Sequence, residues 1–155
     1  MIHVRRIVYA TDFSSYSNQA YFHAVALAEN HGADLLVLFV YVPGSGTPEG
    51  PCSDDDARRY WRSQLEQIRP LDESIRVQHV LLEGDPATSI VSYAREPGAD
   101  LIVMGTHGRT GMERLLMGSV AEKVLRDAPC SVLVVKLPKK SAPEHADPAV
   151  AVGPK

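Results

Sequence analysis

With 155 residues, of which 45% are hydrophobic and 23% are charged, the chain is long enough for one globular domain and too short for two. Its net charge of −3 does not favour nucleic-acid binding, and no segment approaches the roughly 18 continuous apolar residues of a membrane-spanning helix. Residues 1–9 lack the long apolar region of a signal peptide, so we expect a cytoplasmic protein that binds neither nucleic acid nor a membrane.

The first half of the chain alternates between strand and helix patterns. Residues 7–10 are typical of a short buried strand, and the following helix, with alanines at helical spacing, is predicted to end at Gly32. Residues 34–42 are apolar without alternation, which is typical of a parallel strand covered on both faces and marks them as the candidate for the middle of a sheet. After a loop at residues 43–53, three aspartates at 54–56 open a helix. We interpret their charge as a complement to the helix N-terminus rather than as a metal site.

The second half continues the same alternation. Residues 75–82 begin with alternating apolar and polar side chains, which predicts a strand nearer the sheet edge with His79 as a structural residue. Asp85 and Pro86 supply a cap and a first turn for the next helix. A buried strand follows at 101–104, and after a last helix the final strand is predicted at residues 131–136.

Together these elements have the order β-α-β-α-β-α-β-α-β. The phrase Gly-Ala-Asp-Leu occurs at residues 32–35 and again at 98–101, and marks two equivalent passages from helix to strand. The alternation predicts a single α/β domain over residues 1–137, a doubly wound, Rossmann-like, five-stranded parallel sheet with helices on both faces. Residues 138–155 hold four prolines among small residues and scattered charges, and we expect them to form a disordered tail.

A glycine-rich stretch, GTHGRTGMERLLMGS at residues 105–119, directly follows the strand predicted at 101–104 and is called the glycine loop below. Its glycines recur with the spacing Gly105-x2-Gly108-x9-Gly118-Ser119. Glycine lets backbone amides approach a phosphate closely, and a helix N-terminus behind them adds positive potential. Ligands of doubly wound sheets bind beyond the carboxyl ends of strands, where the strand order reverses. We therefore expect a phosphate site formed by the glycine loop and by residues 11–15.

A structural interpretation of the same residues stays open. Ser119 and Glu122 have the spacing of a capping box, so Gly118 and Ser119 would serve only to start the last helix, and Gly105 would only end a strand. Other phosphate loops are excluded, because the chain has neither a G-x-x-x-x-G-K-[ST] motif nor a G-x-G-x-x-G motif that opens a helix after the first strand. The nucleophile elbow G-x-S-x-G of hydrolases is also missing.

Over residues 2–137 the chain resembles the ATP-binding branch of the universal stress protein family. The resemblance rests on Gly105, Gly108 and Gly118-Ser119, on YATDFS at residues 9–14, and on SVAEKV at 119–124 with Ala128-Pro129-Cys130. It implies an adenine nucleotide alpha hydrolase-like fold, a bound ATP with Mg²⁺ or Mn²⁺, a role in the stress response, and a homodimer joined through the last strand at residues 131–136.

The resemblance also implies the residues that bind the nucleotide. It places Asp12 at the ribose and Val40 beside the adenine, and a carboxylate is indeed able to accept both ribose hydroxyls. The amides of Gly105, Gly108, Gly118 and Ser119 would surround the phosphates, while Met104 and Val120 would flank the nucleotide. Arg109 and His107 are also close enough along the chain to reach phosphate. The chain departs from many ATP-binding relatives at Ala10, where they carry proline. The complete predicted set is Ala10, Thr11, Asp12, Val40, Met104, Gly105, Gly108, Arg109, Gly118, Ser119 and Val120, with no catalytic residue and no metal ligand assigned.

Three functional hypotheses follow. The first is a regulatory module in which ATP occupancy alters the surface offered to an unidentified protein partner. The second is an enzyme, a slow ATPase or an adenylyl-transferring enzyme, although His107 is the only evident general base in the glycine loop. The third is a flavodoxin-like or receiver-like domain. It is disfavoured because residues 11–15 lack the glycine of a flavin phosphate site and Asp12 has no acidic neighbour.

Overall fold

The computed structural model describes residues 2–108 and 117–137, and in them five strands alternate with four helices. Arg109 and the tail predicted at 138–155 lie outside the described residues. None of the described helices has the length and apolarity needed to cross a membrane. The elements in chain order are β1 Arg6–Ala10, α1 Ser15–His31, β2 Asp34–Tyr41, α2 Asp54–Glu66, β3 Val77–Glu83, α3 Pro86–Arg95, β4 Leu101–Gly105, α4 Ser119–Asp127 and β5 Ser131–Val135.

All five strands form one parallel sheet with the order β3-β2-β1-β4-β5, as the alternation of elements predicts. The prediction that residues 34–42 lie in the middle of the sheet is wrong, because β1 is the central strand and β2 lies between β1 and β3. The sheet grows from β1 through β2 to β3, and the chain then returns to add β4 and β5 on the other side. This reversal places the switch point between the carboxyl ends of β1 and β4.

Helices cover both faces of the sheet, which explains why its inner strands are apolar without alternation. On one face, Ala24 of α1 and Trp61 of α2 pack in a cluster with Ile7 and Tyr9 of β1. The opposite face carries α3 and α4, whose apolar residues pack with Val8 and Ala10 of the same strand. Successive side chains of β1 point to opposite faces of the sheet and thus enter two separate cores. Every buried position along the strand therefore has to be apolar.

Helix ends mostly follow their sequence signals. Gly32 ends α1 in the left-handed conformation, with φ 62°, and Asp85 caps α3 by accepting a hydrogen bond from the amide of Thr88. The capping box expected at Ser119 is not formed, because α4 already includes Ser119 and its cap position is Gly118, without a side-chain hydrogen bond. Gly118 and Ser119 do start the last helix, but without the capping box.

Two polar features of the sequence have structural roles, as expected. Nε2 of His79 lies 2.8 Å from the carbonyl oxygen of Ile68, so this histidine ties β3 to the segment after α2. β3 itself begins at Val77, two residues later than predicted. The aspartates at 54–56 occupy the first turn of α2, and Asp54 accepts hydrogen bonds from the Tyr41 hydroxyl and the Gly44 amide. These bonds hold the pKa of Asp54 below its usual value.

Candidate functional site

A cavity of about 430 Å³ lies at the switch point, beyond the carboxyl ends of β1, β2 and β4. This volume is in the range of roughly 300–1,000 Å³ that is usual for small-molecule sites. All the predicted site residues that the structure describes line it: Ala10, Thr11, Asp12, Val40, Met104, Gly105, Gly108, Gly118, Ser119 and Val120. Segments more than 90 residues apart in sequence therefore meet at one place, whereas Arg109 is outside the described residues.

The turn after β1 presents a carboxylate to this cavity. Oγ1 of buried Thr11 lies 3.1 Å from the hydroxyl of Ser17 and accepts a hydrogen bond of 3.0 Å from the Phe13 amide. Oδ1 of Asp12 in turn accepts a 3.0 Å hydrogen bond from the Ser14 amide. Thr11 therefore builds the turn with its side chain, and the neighbouring Asp12 is the residue whose charge lines the cavity.

The three glycines that define the motif have three different structural roles. A Cβ on Gly105 would lie 2.7 Å from the carbonyl carbon of Tyr16, so its lack of a side chain allows the start of α1 to approach β4. Gly118 donates its amide to the carbonyl oxygen of Thr106 at 2.6 Å and closes the loop there. The expectation that this amide faces a phosphate is thus not met in this structure.

Gly108 is the glycine that faces the ligand space. A Cβ at this position would lie 2.9 Å from Oδ2 of Asp12, closer than real Cβ contacts allow. The backbone at Gly108 therefore approaches the carboxylate across the cavity, with no side chain between the two loops. Since both residues line the cavity, a ligand there would contact both loops.

His107 lies at the rim of the cavity, between the two loops. Its Nδ1 is 3.0 Å from the hydroxyl oxygen of Thr106, and its ring centroid is 5.0 Å from that of Tyr16. Among the described lining residues it is the only histidine, and neither lysine nor arginine lines the described cavity. The described part of the site thus offers an anion backbone amides, hydroxyl groups such as that of Ser119, and one imidazole.

The remaining wall is apolar and includes residues that the sequence pattern does not single out. Val42 and Ser45 follow β2. The sequence signal that could have identified Val42 as a lining residue is its position at the end of the apolar run at 34–42. Pro86 and Ile90 come from α3 on the other face, and nothing in their local sequence distinguishes them from ordinary helix residues. An apolar slot of this kind suits a flat aromatic ring such as a purine base.

Electrostatically, the described site combines one carboxylate with a helix N-terminus. Asp12 is the only acidic residue among the described residues that line the cavity, and Ser119 and Val120 belong to the first turn of α4. The amides of a first turn lack partners within the helix and favour an anion. No group of three potential metal-ligating side chains occurs in residues 2–108 and 117–137.

Comparison with known proteins gives a consistent family match. Residues 3–136 match the universal stress protein family. A relative, universal stress protein MJ0531 of Methanocaldococcus jannaschii, is 39% identical over 145 residues, covering 88% of this chain and 84% of that protein. The solved structure of universal stress protein UspA from Lactobacillus plantarum superposes with a TM-score of 0.75 at 26% identity, over 87% of this chain and 99% of that one.

Two similar solved structures contain nucleotides. A universal stress protein in complex with cAMP has a TM-score of 0.66 and 25% identity, over 87% of this chain and 98% of that one. The universal stress protein of Archaeoglobus fulgidus in complex with dAMP has a TM-score of 0.58 and 27% identity, over 88% of this chain and all of that one. Both ligands contain adenine, a sugar and phosphate.

Proposed function

The chain belongs to the universal stress protein family, and on that premise we propose that it binds ATP and acts as a nucleotide-dependent regulatory module in a stress response. The observation that carries the proposal is the cavity at the switch point, which gathers the turn after β1, the end of β2 and the described ends of the glycine loop. The similar structures with cAMP and dAMP support an adenine nucleotide as the ligand class.

Each part of ATP has a matching part of the cavity. Asp12 would accept hydrogen bonds from the ribose hydroxyls, and Val40 and Pro86 would cover the base. The amides of Gly108 and Ser119, with the N-terminus of α4, would hold the phosphates. Mg²⁺ or Mn²⁺ would enter with those phosphates, because Asp12 is the single carboxylate in the described wall.

A regulatory role follows from which segments the ligand would contact. Part of the cavity wall belongs to loops and helix starts, which contribute Asp12, Gly108 and Ser119, and such segments can change their conformation without unfolding the sheet. ATP bound among them would fix the surface that these loops present to a protein partner. We place this action in the cytoplasm.

We further propose that the protein is a homodimer that pairs through β5. This strand is at the edge of the sheet and pairs with β4 alone among the described strands. Val132, Leu133 and Val134 are only half-buried, although all three are apolar. A second copy would cover these side chains and satisfy the unpaired edge of the backbone.

Calorimetric titration of nucleotide-free protein with ATP and Mg²⁺ tests the central proposal. Copurifying nucleotide is first identified by mass and removed, so that the measured affinity belongs to the empty site. Saturable binding of ATP in preference to GTP is expected, because the similar structures hold adenine nucleotides. Protein that is folded and nucleotide-free but binds no adenine nucleotide would refute the proposal.

A slow ATPase is the second candidate, and the position of His107 at the cavity rim is the observation that favours it. Fast phosphoryl transfer requires positive charge on the γ-phosphate and an oriented nucleophile, and amides alone stabilise the ground state nearly as well as the transition state. If the protein is instead a regulatory module, hydrolysis should take minutes or longer in single-turnover assays and be unaffected by His107→Ala or Arg109→Ala. Turnover of several per second that is lost in either variant would make the protein an enzyme.

A further inference from the structure

Phe13 has an unusual backbone conformation directly beside Asp12. Its φ is +62°, and it is the only non-glycine residue in the described parts of the chain with a positive φ. A bulky side chain rarely adopts this left-handed conformation, so the surroundings must hold it there. The hydrogen bonds from the Phe13 amide to Thr11 and from the Ser14 amide to Asp12 belong to the same turn. The conformation of Phe13 and the orientation of the Asp12 carboxylate are therefore set together.

The ring of Phe13 is held by two other aromatic rings. It stacks on Trp61 of α2 with a centroid distance of 5.2 Å and an interplanar angle of 25°, and it packs edge-on against Phe39 of β2 at 5.0 Å. Trp61 is itself buried, at 3% exposure, and its Nε1 donates a 3.0 Å hydrogen bond to the carbonyl oxygen of Gly46. We call Phe13, Phe39 and Trp61 the aromatic clamp. Its members come from the turn after β1, from β2 and from α2, and they cannot easily rotate away.

We propose that Phe13 is a positioning residue for nucleotide binding, acting through Asp12: the aromatic clamp holds Phe13 in the left-handed conformation, and this directs the Asp12 carboxylate toward the ribose. The proposal rests on the proposed function, because it takes the ligand to be a ribonucleotide. The geometry links the two residues through one turn, and Oδ2 of Asp12 lies on the side of the cavity that Gly108 faces. Without the clamp the turn would relax to a commoner conformation and carry the carboxylate away from the sugar.

Two nucleotides that differ only in the sugar separate this role from a general structural one. Calorimetry of the full chain with ATP and with 2′,3′-dideoxy-ATP, each with Mg²⁺, measures the part of the affinity that depends on the ribose hydroxyls. Phe13→Leu should weaken ATP binding by about tenfold, the lower end of what a charged hydrogen bond contributes to affinity. The same variant should change binding of the dideoxy analogue by less than about twofold, since that analogue cannot use Asp12.

Matched controls test whether Phe13 affects nucleotide binding through the aromatic clamp and through Asp12. Phe13→Tyr keeps the aromatic ring and should bind both nucleotides as the unaltered protein does. In an Asp12→Ala background, Phe13→Leu should have no further effect on ATP affinity, because the group it positions is gone. If Phe13→Leu does not fold, Phe13→Met provides the same comparison, since methionine adapts to the space in a core but has no aromatic ring.

The outcomes distinguish this inference from the proposed function. Equal losses for ATP and the dideoxy analogue in Phe13→Leu, or additive effects of the Phe13 and Asp12 substitutions, would overturn the positioning role while ATP binding stands. Equal affinity of the unaltered protein for both nucleotides would do the same, by removing Asp12 from the ribose. Absence of any ATP binding by the unaltered protein would overturn both proposals.

Discussion

The three glycines of the motif should respond differently to one added methyl group, because each faces a different neighbour. In Gly105→Ala the new Cβ would meet the backbone of Tyr16, with the carbonyl carbon at 2.7 Å and the carbonyl oxygen at 2.8 Å. In Gly108→Ala it would meet Oδ2 of Asp12 at 2.9 Å, which is the end of a side chain. The backbone of Tyr16 is part of α1 and cannot move as easily as the Asp12 carboxylate at the cavity wall. We therefore expect loss of stability in the first variant and loss of nucleotide binding in the second.

The magnitudes follow from these contacts. In Gly105→Ala the new Cβ is too close to a backbone that cannot move away, and this overpacking should lower the free energy of unfolding by about 1–3 kcal/mol. For a domain of this size that corresponds to a fall of roughly 3–10 °C in melting temperature. Gly108→Ala should leave the ligand-free melting temperature nearly unchanged. By displacing Asp12 it should weaken ATP binding by about 1.5–3 kcal/mol, the contribution of a charged hydrogen bond.

Urea unfolding and thermal melting, each with and without ATP and Mg²⁺, measure both effects in the same samples. ATP at 100 times its Kd should stabilise the unaltered protein by about 2.7 kcal/mol, or roughly 5–10 °C. Gly108→Ala should lose most of this ligand-dependent shift. Gly118→Ala is the intermediate case, since its Cβ would lie 3.2 Å from the carbonyl oxygen of Thr106 and requires only a small movement.

Two results would refute this reasoning. If Gly105→Ala unfolds at the same urea concentration as the unaltered protein, Tyr16 does not lie against β4 as closely as the structure has it. If Gly108→Ala retains the full stabilisation by ATP, Gly108 does not face the nucleotide, and the larger Gly108→Val should then also bind normally. Circular dichroism should stay unchanged in both Gly108 variants, because the added atoms lie in the cavity and not in the core.

Three further predictions concern the ribose, pH and assembly. Asp12→Ala should weaken ATP binding by roughly 1.5–3 kcal/mol in calorimetry, and unchanged affinity would remove Asp12 from the site. The backbone amides of Arg5 and Arg6 hold the pKa of Asp100 below its usual value. The stability that this gives is present above the unfolded pKa near 3.8 and is lost as pH falls through the lower folded pKa. In Asp100→Asn the free energy of unfolding should therefore fall less between about pH 5 and pH 3, as urea titrations will measure; an identical slope would contradict this. Light scattering should give about twice the chain mass of 16.9 kDa. The same result is expected after deletion of residues 140–155. A monomer that dimerises only after the deletion would mean that the tail covers β5.

The sequence by itself determined the fold class and the location of the candidate site. Apolar runs without alternation require strands covered on both faces, and helices between them make the sheet parallel, so the ligand site has to lie at the carboxyl ends. Local signals such as Gly32 and Asp85 act through neighbours a few residues away, which is why they are correctly predicted from the sequence. The predicted site residues that the structure describes meet in one cavity because each lies near the end of a strand, in the loop after it or at the start of a helix.

Only the tertiary structure decided what each of these residues contacts. The repeated Gly-Ala-Asp phrase illustrates this, because Asp34 forms an ion pair with Arg76 whereas Asp100 accepts amides at the start of β1. Likewise, the different roles of Gly105 and Gly108 depend on Tyr16 and Asp12, about 90 residues away in sequence. The left-handed conformation of Phe13 similarly depends on Trp61, which belongs to another helix. Such contacts depend on how helices dock on the sheet, and docking is determined by the packing of the whole core rather than by any local pattern.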